Sequence, residues 1–177
     1  MKKTRDPDTP RSGKERRAAM KKEGWTGIVL VVLTWVELIL ILLFLLAPPW
    51  MAWSDLLFPF WVYWTGAAFM ICSIPLMALV HHTLGKHYSY ALETKTEQSL
   101  ITTGPYSRVR HPLYTAHNLF NLGVILLTAN IPLIIFAILG VPFTFARMKK
   151  EEQMMIEKFG DEYREYMKQT GRIFPKL

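Results

Sequence analysis

The chain has no lysine or arginine from residue 23 to residue 85, and this gap decides what it can fold into. Within the gap only Glu23, Glu37 and Asp55 carry a charge. Soluble domains have about a quarter of their residues charged and spread along the sequence, whereas the 20% found here is concentrated outside the gap. The pattern excludes an ordinary soluble globule and a disordered chain, and it indicates an integral membrane protein.

Most of the positive charge lies in the first residues of the chain. Residues 1–23 hold nine Lys or Arg and four Asp or Glu, so they contribute +5 of the net +7. These basic residues precede a hydrophobic span, so the positive-inside rule explains them better than nucleic-acid binding does. With Pro7, Pro10 and Gly13, the segment is predicted to be a basic cytoplasmic arm that contacts anionic lipid, followed by a single membrane domain over residues 24–177.

Apolar segments predict an all-α, polytopic fold with about four transmembrane helices. The predicted spans are approximately residues 25–47, 57–80, 114–129 and 132–147. The last two are short and separated by the turn signal Ala129–Pro132, so they predict a helical hairpin. The second arm is expected to continue as helix to Phe159, where Gly160 ends it and Asp161 caps a last cytoplasmic helix.

The distribution of basic residues between the loops predicts the topology. Residues 48–55 and the turn near Asn130 contain no Lys or Arg. The arm, residues 81–112 and the C-terminal tail hold every basic residue. We therefore expect both termini on the cytoplasmic side of the cell membrane, with the reactive side chains facing the cytoplasm.

Several kinds of site are not supported by any motif. The chain has no G-x-G-x-x-G or Walker loop, and no H-E-x-x-H or G-x-S-x-G motif. His81, His82 and His87 cluster near a membrane boundary, but five histidines in the whole chain are too few for a di-iron site. The single cysteine, Cys72, forms neither an intrachain disulfide nor a cysteine-based metal site. No metal site is predicted.

One constellation of reactive side chains remains. Residues 104–114 pack two arginines, a histidine and two tyrosines just before the predicted hairpin. At its far end, Arg147 and Glu151 are four residues apart and share a helix face. A hairpin brings its two ends together, so His111 and Tyr114 should lie near this pair. Such a set can bind a zwitterion or a carboxylate. The alternative is a charged membrane boundary with an ordinary helix ion pair.

Four motifs occur in order along the second half of the chain. They are Gly104–Tyr114 with its R-H-P-x-Y core, the double glutamate Glu151–Glu152, the F-G-x-x-Y-x-x-Y run Phe159–Tyr166, and Gly171–Pro175. Together they resemble the isoprenylcysteine carboxyl methyltransferase family, especially its prokaryotic and archaeal members, within the isoprenylcysteine carboxyl and phospholipid methyltransferase superfamily. The resemblance implies transfer of a methyl group from S-adenosylmethionine to a carboxylate on a prenylcysteine-like, lipid-attached acceptor.

The same resemblance implies a role for individual residues. Its cofactor site would lie within residues 84–114 and 147–175. The implied cofactor-binding residues are Gln98, Ser99, Leu100, Ile101, Tyr106, His111, Pro112, Leu113, Tyr114 and Glu151. Arg147 matches a position that orients the acceptor carboxylate, so Arg147 and Glu151 are the predicted catalytic pair. A carboxylate is already ionised at neutral pH, so it needs orientation and a dry pocket rather than a base.

Three alternatives stay open at this stage. A phospholipid headgroup N-methyltransferase would use the same cofactor but needs a base, which Glu151 or His111 would supply. A membrane reductase with a nicotinamide cofactor, and a non-catalytic membrane scaffold, are the other two.

Elsewhere, Glu37 lies in mid-span, where an ionisable group is costly unless it is paired. We expect it to form a polar bridge to Asn118, Asn121 or His117. We expect Trp50, Trp53, Trp61 and Trp64 to form an interfacial belt.

Overall fold

Helices make up most of the part of the chain that the structure describes. The computed structural model describes residues 25–46, 48–85 and 100–176, and no strand occurs among them. The helices are α1 (Trp25–Leu46), α2 (Pro48–Met51), α3 (Phe60–Leu84), α4 (Pro112–Thr128), α5 (Ile131–Phe159) and α6 (Asp161–Gln169). Short 3-10 turns cover Ala52–Ser54 and Gly104–Ser107. The all-α prediction is confirmed for this part, and the predicted arm lies outside the described residues.

Three of the described helices are long and apolar enough to cross a membrane. They are α1 over Gly27–Leu46, α3 over Phe60–Leu84 and α5 over Ile131–Phe159. Their large apolar side chains are widely exposed, as expected where lipid rather than protein surrounds a helix. With 17 residues, α4 is shorter than the other three. The protein is therefore an integral membrane protein.

The prolines shape the helix boundaries. α1 ends at Leu46, one residue before the predicted end of the first span, and Pro48 and Pro49 then open α2, since proline fits the first turn of a helix. α3 begins after Pro59 and continues through Pro75 to Leu84, further than the predicted end. α5 continues to Phe159, where Gly160 adopts a positive φ of 57° and closes the helix.

The closest helix pairing is between α3 and α4. It depends on two glycines that let the backbones meet. A Cβ placed on Gly66 would lie 2.8 Å from the carbonyl oxygen of Gly123, and a Cβ on Gly123 would lie 2.6 Å from Cγ of Met70. Small residues at such crossings allow close packing in membranes. The pairing fixes α4, and hence the residues at its N-terminal end.

Substituting Gly123 should therefore destabilise the protein. We expect Gly123→Ala to cost about 1–3 kcal/mol in unfolding free energy, because the added methyl group must force two backbones apart. The matched control is Gly140→Ala on α5, where a Cβ meets nothing within 4 Å. That change should be neutral or slightly stabilising, since alanine favours helix over glycine. Thermal unfolding midpoints in detergent compare the two, and equal midpoints would contradict the close crossing.

Asn130 joins the turn between α4 and α5 to the α2 region. Its buried side-chain amide donates to Ser54 Oγ at 2.9 Å and to Asp55 Oδ1 at 2.8 Å. The backbone N–H of Leu56 donates to the carbonyl of Ala129 at 2.7 Å. The sequence predicted only a turn here. The structure shows that the turn also anchors the loop between the first two long helices.

Glu37 does not form the expected polar bridge among the described residues. α1 packs mainly against α5, whereas Asn118, Asn121 and His117 lie on α4. His117 is instead hydrogen-bonded within its own helix, 2.8 Å from the carbonyl of Leu113. That prediction was wrong because spacing within a helix does not reveal which neighbour the helix packs against. The four tryptophans of the predicted belt are all exposed: Trp50, Trp53, Trp61 and Trp64.

Candidate active site

The C-terminal segment lies alongside the loop that precedes α4. The backbone N–H of Arg110 donates to the carbonyl of Gly171 at 2.8 Å. The N–H of His111 donates to the carbonyl of Arg172 at 3.0 Å. This short parallel pairing places the loop, the start of α4 and the chain end beside the C-terminal half of α5. The reactive side chains of all four elements meet there.

Glu151 on α5 is the centre of the first cluster. Tyr114 donates its hydroxyl to Glu151 Oε1 at 2.7 Å, and Arg147 Nε donates to the same oxygen at 3.2 Å. His111 Nδ1 lies 3.5 Å from Glu151 Oε2. The Glu151 side chain is 26% exposed and can be reached from outside the cluster. The structure thus brings together the four residues that the hairpin argument placed near one another.

Glu152, the next residue, is the centre of a second cluster and is buried. Arg110 Nε donates to Glu152 Oε1 at 3.0 Å, and Arg172 Nε donates to the same oxygen at 3.1 Å. Arg172 Nη2 bonds the other carboxylate oxygen. Arg110 also donates to the carbonyls of Met167 and Thr170 at the end of α6. Glu152 therefore ties α5 to the loop, to α6 and to the chain end.

His111 lies between the two carboxylates. Its Nε2 is 3.4 Å from Glu152 Oε1, but that nitrogen is buried and has no hydrogen-bond partner of acceptable geometry among the described residues. Burial opposes protonation of the ring. The carboxylates of Glu151 and Glu152 outweigh burial and raise the pKa of His111 above its ordinary value. The imidazole is therefore biased towards the cationic form inside the site.

This raised pKa predicts a pH dependence of stability. A histidine whose pKa is raised on folding stabilises the protein below its unfolded pKa of 6.5, and the contribution is lost as pH rises through the folded value. We therefore expect the unfolding midpoint in detergent to fall as the pH is raised from about 6 to about 9. A tenfold difference in proton affinity between the folded and unfolded chain corresponds to about 1.4 kcal/mol of stability. His111→Gln should flatten that slope. His117→Gln, at an exposed histidine, should leave it unchanged; a slope that survives His111→Gln would refute the assignment.

A tyrosine of α6 anchors the 3-10 turn at residues 104–107. Tyr166 donates its hydroxyl to the backbone carbonyl of Tyr106 at 2.6 Å, and burial raises the pKa of Tyr166 to about 12. Tyr163 packs beside it, with ring centroids 5.7 Å apart, and is also buried. The spacing of the F-G-x-x-Y-x-x-Y motif thus serves to hold the turn that carries Tyr106.

The remaining predicted cofactor residues have different positions. Pro112 opens α4 and is buried, and Leu113 follows it half-buried. Leu100 and Ile101 are half-buried just before the 3-10 turn. Gln98 and Ser99 lie outside the described residues. Arg110, Glu152 and Arg172 lie within the sequence motifs, but no function was predicted for them. The two consecutive glutamates were the signal in the sequence that could have pointed to Glu152.

A cleft opens between α4 and α5, and along α4 it begins one helical turn after Tyr114. Its volume is about 290 Å³. It is lined by Asn118, Asn121, Leu122, Ile125, Ala137, Ile138, Val141, Thr144, Phe145 and Ile173. Ile173 is fixed there because its carbonyl accepts from the hydroxyl of Thr115 at 2.7 Å. Among the described residues, no group of three or more His, Cys, Asp or Glu side chains is arranged to hold a metal ion.

Comparison with known proteins identifies the family. The sequence pattern of the family described as phospholipid methyltransferase matches residues 61–162, more than half of the chain. The chain belongs to the phospholipid methyltransferase family. Among curated relatives, the protein-S-isoprenylcysteine O-methyltransferase of Saccharomyces cerevisiae is 34% identical to this chain over 113 residues. The match covers 62% of this chain and 47% of the yeast protein. The resemblance drawn from the motifs is confirmed.

Other similarities are more distant. The human protein-S-isoprenylcysteine O-methyltransferase is 28% identical over 130 residues, covering 70% of this chain and 45% of the human protein. The nickel-cobalt-cadmium resistance protein NccN of Alcaligenes xylosoxydans xylosoxydans is 25% identical over 115 residues, covering 64% of this chain and 53% of that protein. The chain therefore spans about half the length of the curated relatives that it matches.

A solved structure has the same fold. The eukaryotic intramembrane Ras methyltransferase ICMT (isoprenylcysteine carboxyl methyltransferase) superposes with a TM-score of 0.60 at 20% sequence identity. The superposition covers 94% of this chain and 54% of that one. At this identity the likeness concerns the architecture, and the chemistry must be argued from the residues of this chain.

Proposed function

We propose that this protein is an integral membrane methyltransferase that uses S-adenosylmethionine to methylate the carboxylate of a lipid-attached, prenylcysteine-like acceptor. The observation that carries the proposal is the convergence of His111, Tyr114 and Arg147 on Glu151, about one helical turn from a cleft between α4 and α5. The enzymatic names of several relatives support the same reaction class.

The side chains in this cluster suit the charges of the donor. S-adenosylmethionine carries an ammonium and a carboxylate, and when bound it supplies an electrophilic methyl group on a cationic sulfur. Glu151, partly exposed and anionic, is suited to the ammonium. His111, with a raised pKa and a buried Nε2 that lacks a partner of acceptable geometry among the described residues, is suited to the carboxylate. Tyr106, Pro112 and Leu113 are proposed to line the same pocket.

The acceptor needs orientation rather than activation. A carboxylate with a pKa of about 3.5 is ionised at neutral pH, so no residue has to remove a proton from it. Arg147 is proposed to hold it, because a guanidinium grips a carboxylate through two parallel N–H donors. The apolar wall of the cleft, including Val141 and Phe145, excludes the water that would otherwise hydrate it. Arg147 and Glu151 thus act on different molecules, the acceptor and the donor.

The proposed topology has four spans with both termini in the cytoplasm. In it α4 and α5 form the predicted helical hairpin, and α4 is the third span along the chain and the shortest of the four. Support comes from the two non-cytoplasmic loops, residues 48–59 and 129–130, which carry no Lys or Arg. This arrangement places Glu151, α6 and the chain end on the cytoplasmic side of the cell membrane, where the soluble donor is available.

A second candidate is methylation of a phospholipid headgroup amine. It is favoured by the description of the matched family and by the polar groups that line the cleft. The amine must be deprotonated before it can attack, so this reaction needs a base within reach of the acceptor. Glu151 is the carboxylate in position for that step, since it faces both Tyr114 and Arg147.

A labelling experiment separates these functions. Purified protein in detergent is given methyl-labelled S-adenosylmethionine with either a short-chain prenylcysteine or a total lipid extract. Label that alkali releases as a volatile product is a methyl ester and supports carboxyl methylation. Base-stable label in the lipid fraction means N-methylation and favours the second candidate. Failure to bind the donor would refute both.

A further inference from the structure

The chain end continues along α4 after it has paired with the loop before that helix. The backbone pairing ends at Arg172, and the next contact lies further along α4, where the hydroxyl of Thr115 donates to the carbonyl of Ile173 at 2.7 Å. Thr115 follows Pro112, the first residue of α4, by three positions, which is about 4.5 Å along the helix axis. The chain end therefore runs beside the first turn of α4.

Ile173 reaches a part of the molecule that belongs to the membrane span. It lines the cleft between α4 and α5 together with Thr144 and Phe145. All the α5 residues of that lining precede Arg147, which is the first charged residue of α5. Because charged side chains are costly in the hydrocarbon core, the change from apolar to charged residues marks where α5 leaves the membrane. The chain end thus lies at that boundary.

A tight turn presents Phe174 at this boundary. A Cβ placed on Gly171 would collide with the carbonyl oxygen of Phe174 and lie 3.1 Å from the backbone nitrogen of Lys176, so the turn closes on itself and requires glycine. Lys176 Nζ also donates to the carbonyl of Lys168 on α6 at 2.9 Å. The Phe174 side chain is nevertheless 74% exposed, and beyond α5 it is the only large apolar side chain so exposed among the described residues.

The chemistry of this turn matches a lipid boundary. Aromatic side chains are enriched where helices meet the headgroups, because an apolar ring enters the edge of the acyl region. The turn also carries Arg172, which is 33% exposed, and Lys176, which is exposed. Basic side chains on both sides of an apolar ring are attracted to anionic phosphates. A single phenylalanine offers far less than the ~800 Å² per partner of a stable protein interface, so lipid is the occupant that fits.

We propose that residues 171–176 form a membrane anchor, in which the ring of Phe174 inserts among the acyl chains and Lys176 lies at the lipid phosphates. The segment after α6 then returns to the bilayer surface. The anchor affects the candidate site, because Arg172 bonds Glu152 from the same turn. Lipid thus helps to hold the chain end beside α5. This inference goes beyond the proposed function and does not depend on methyl transfer.

Spin labelling tests the anchor directly. The chain has one cysteine, Cys72, exposed midway along α3, so a nitroxide attached to it gives a lipid-facing reference without any substitution. In a Cys72→Ser background, single labels are placed at Phe174→Cys and, as the water-exposed control, at Glu165→Cys. The full chain is reconstituted in nanodiscs of phosphatidylcholine and phosphatidylglycerol. Collisions with dissolved oxygen and with a water-soluble nickel chelate are then compared, because oxygen concentrates in lipid and the chelate stays in water.

We expect the label at position 174 to resemble the label at Cys72, with frequent oxygen collisions and a loss of nickel collisions relative to Glu165→Cys. Nickel collisions equal to those of the control would overturn the proposal, because the turn would then lie in water. Dipolar broadening between labels at position 174 would also overturn it, since the ring would then meet a second copy of the chain.

Proteolysis provides a second measurement that needs no label. In the same nanodiscs, Phe174→Ser should raise the rate of tryptic cleavage after Arg172 about tenfold, the lower end of the effect of burying a phenylalanine ring. Phe174→Leu stays apolar and should remain within about twofold of the wild type. Equal cleavage of the wild type and Phe174→Ser would refute the anchor. Both measurements are made without donor or acceptor, so their outcome is independent of the proposed reaction.

Discussion

Glu151→Gln is expected to lower the rate of methyl transfer at least about 100-fold and to weaken donor binding by a similar factor, since removing one partner of a hydrogen-bonded charge pair costs about 2–5 kcal/mol. The substitution keeps the shape of the side chain but removes the negative charge that is suited to the ammonium. It also leaves Arg147 and His111 without their shared carboxylate. Equilibrium dialysis with labelled S-adenosylmethionine measures the binding, and initial rates with a short-chain prenylcysteine measure the transfer.

A matched control is available on the same helix. Glu157→Gln removes an exposed carboxylate six residues further along α5, and it should leave both binding and rate within about twofold of the wild type. If Glu151→Gln bound the donor as tightly as the wild type and altered only the unfolding midpoint, the site would be a charged membrane boundary with a helix ion pair. The methyltransferase proposal would then fail at its central residue.

The first cluster was accessible to sequence reasoning because it depends on local geometry. Arg147 and Glu151 are one helical turn apart, and the turn at Ala129 and Asn130 makes two similar arms antiparallel. Those two facts suffice to bring Tyr114 close to Glu151, where the structure has a 2.7 Å hydrogen bond. Hydropathy alone likewise indicated the long helices, since apolar runs of this length suit only a membrane or a buried core.

The second cluster was inaccessible for a physical reason. Arg110 and Glu152 are 42 residues apart, and their pairing depends on how the chain end docks beside the loop before α4. That docking uses backbone hydrogen bonds between irregular segments, which leave no periodic pattern in the sequence. The partner of α1 was equally hidden, because a helix that is apolar on every side does not show which face meets a neighbour. Hence the prediction for Glu37 failed although its span was recognised.

Glu152→Gln is expected to be the most destabilising single substitution of those considered, at about 3–5 kcal/mol, since it breaks a buried ion-pair network and leaves the other charges uncompensated. Glu152 is 5% exposed and Arg110 is 9% exposed, so water cannot take over the lost interaction. Arg172, 33% exposed, would be left without its bidentate partner. The unfolding midpoint in detergent should fall sharply. Glu165→Gln should produce no measurable shift, because the Glu165–Lys168 pair is solvent-exposed.

The same substitution should also loosen the chain end. Without Glu152, the chain end loses its ion pairs, and what remains are its backbone hydrogen bonds and the side-chain hydrogen bonds from Arg110 and Thr115 to its carbonyls. Limited proteolysis below the unfolding midpoint should then cut within residues 170–176 faster than in the wild type or in Glu165→Gln. Donor binding should weaken although Glu151 is intact, because His111 is positioned through that same pairing. A protected chain end with normal donor binding would show that Glu152 does not hold the site together. The burial of Glu152 beside Arg110 and Arg172 would then serve no function in the site.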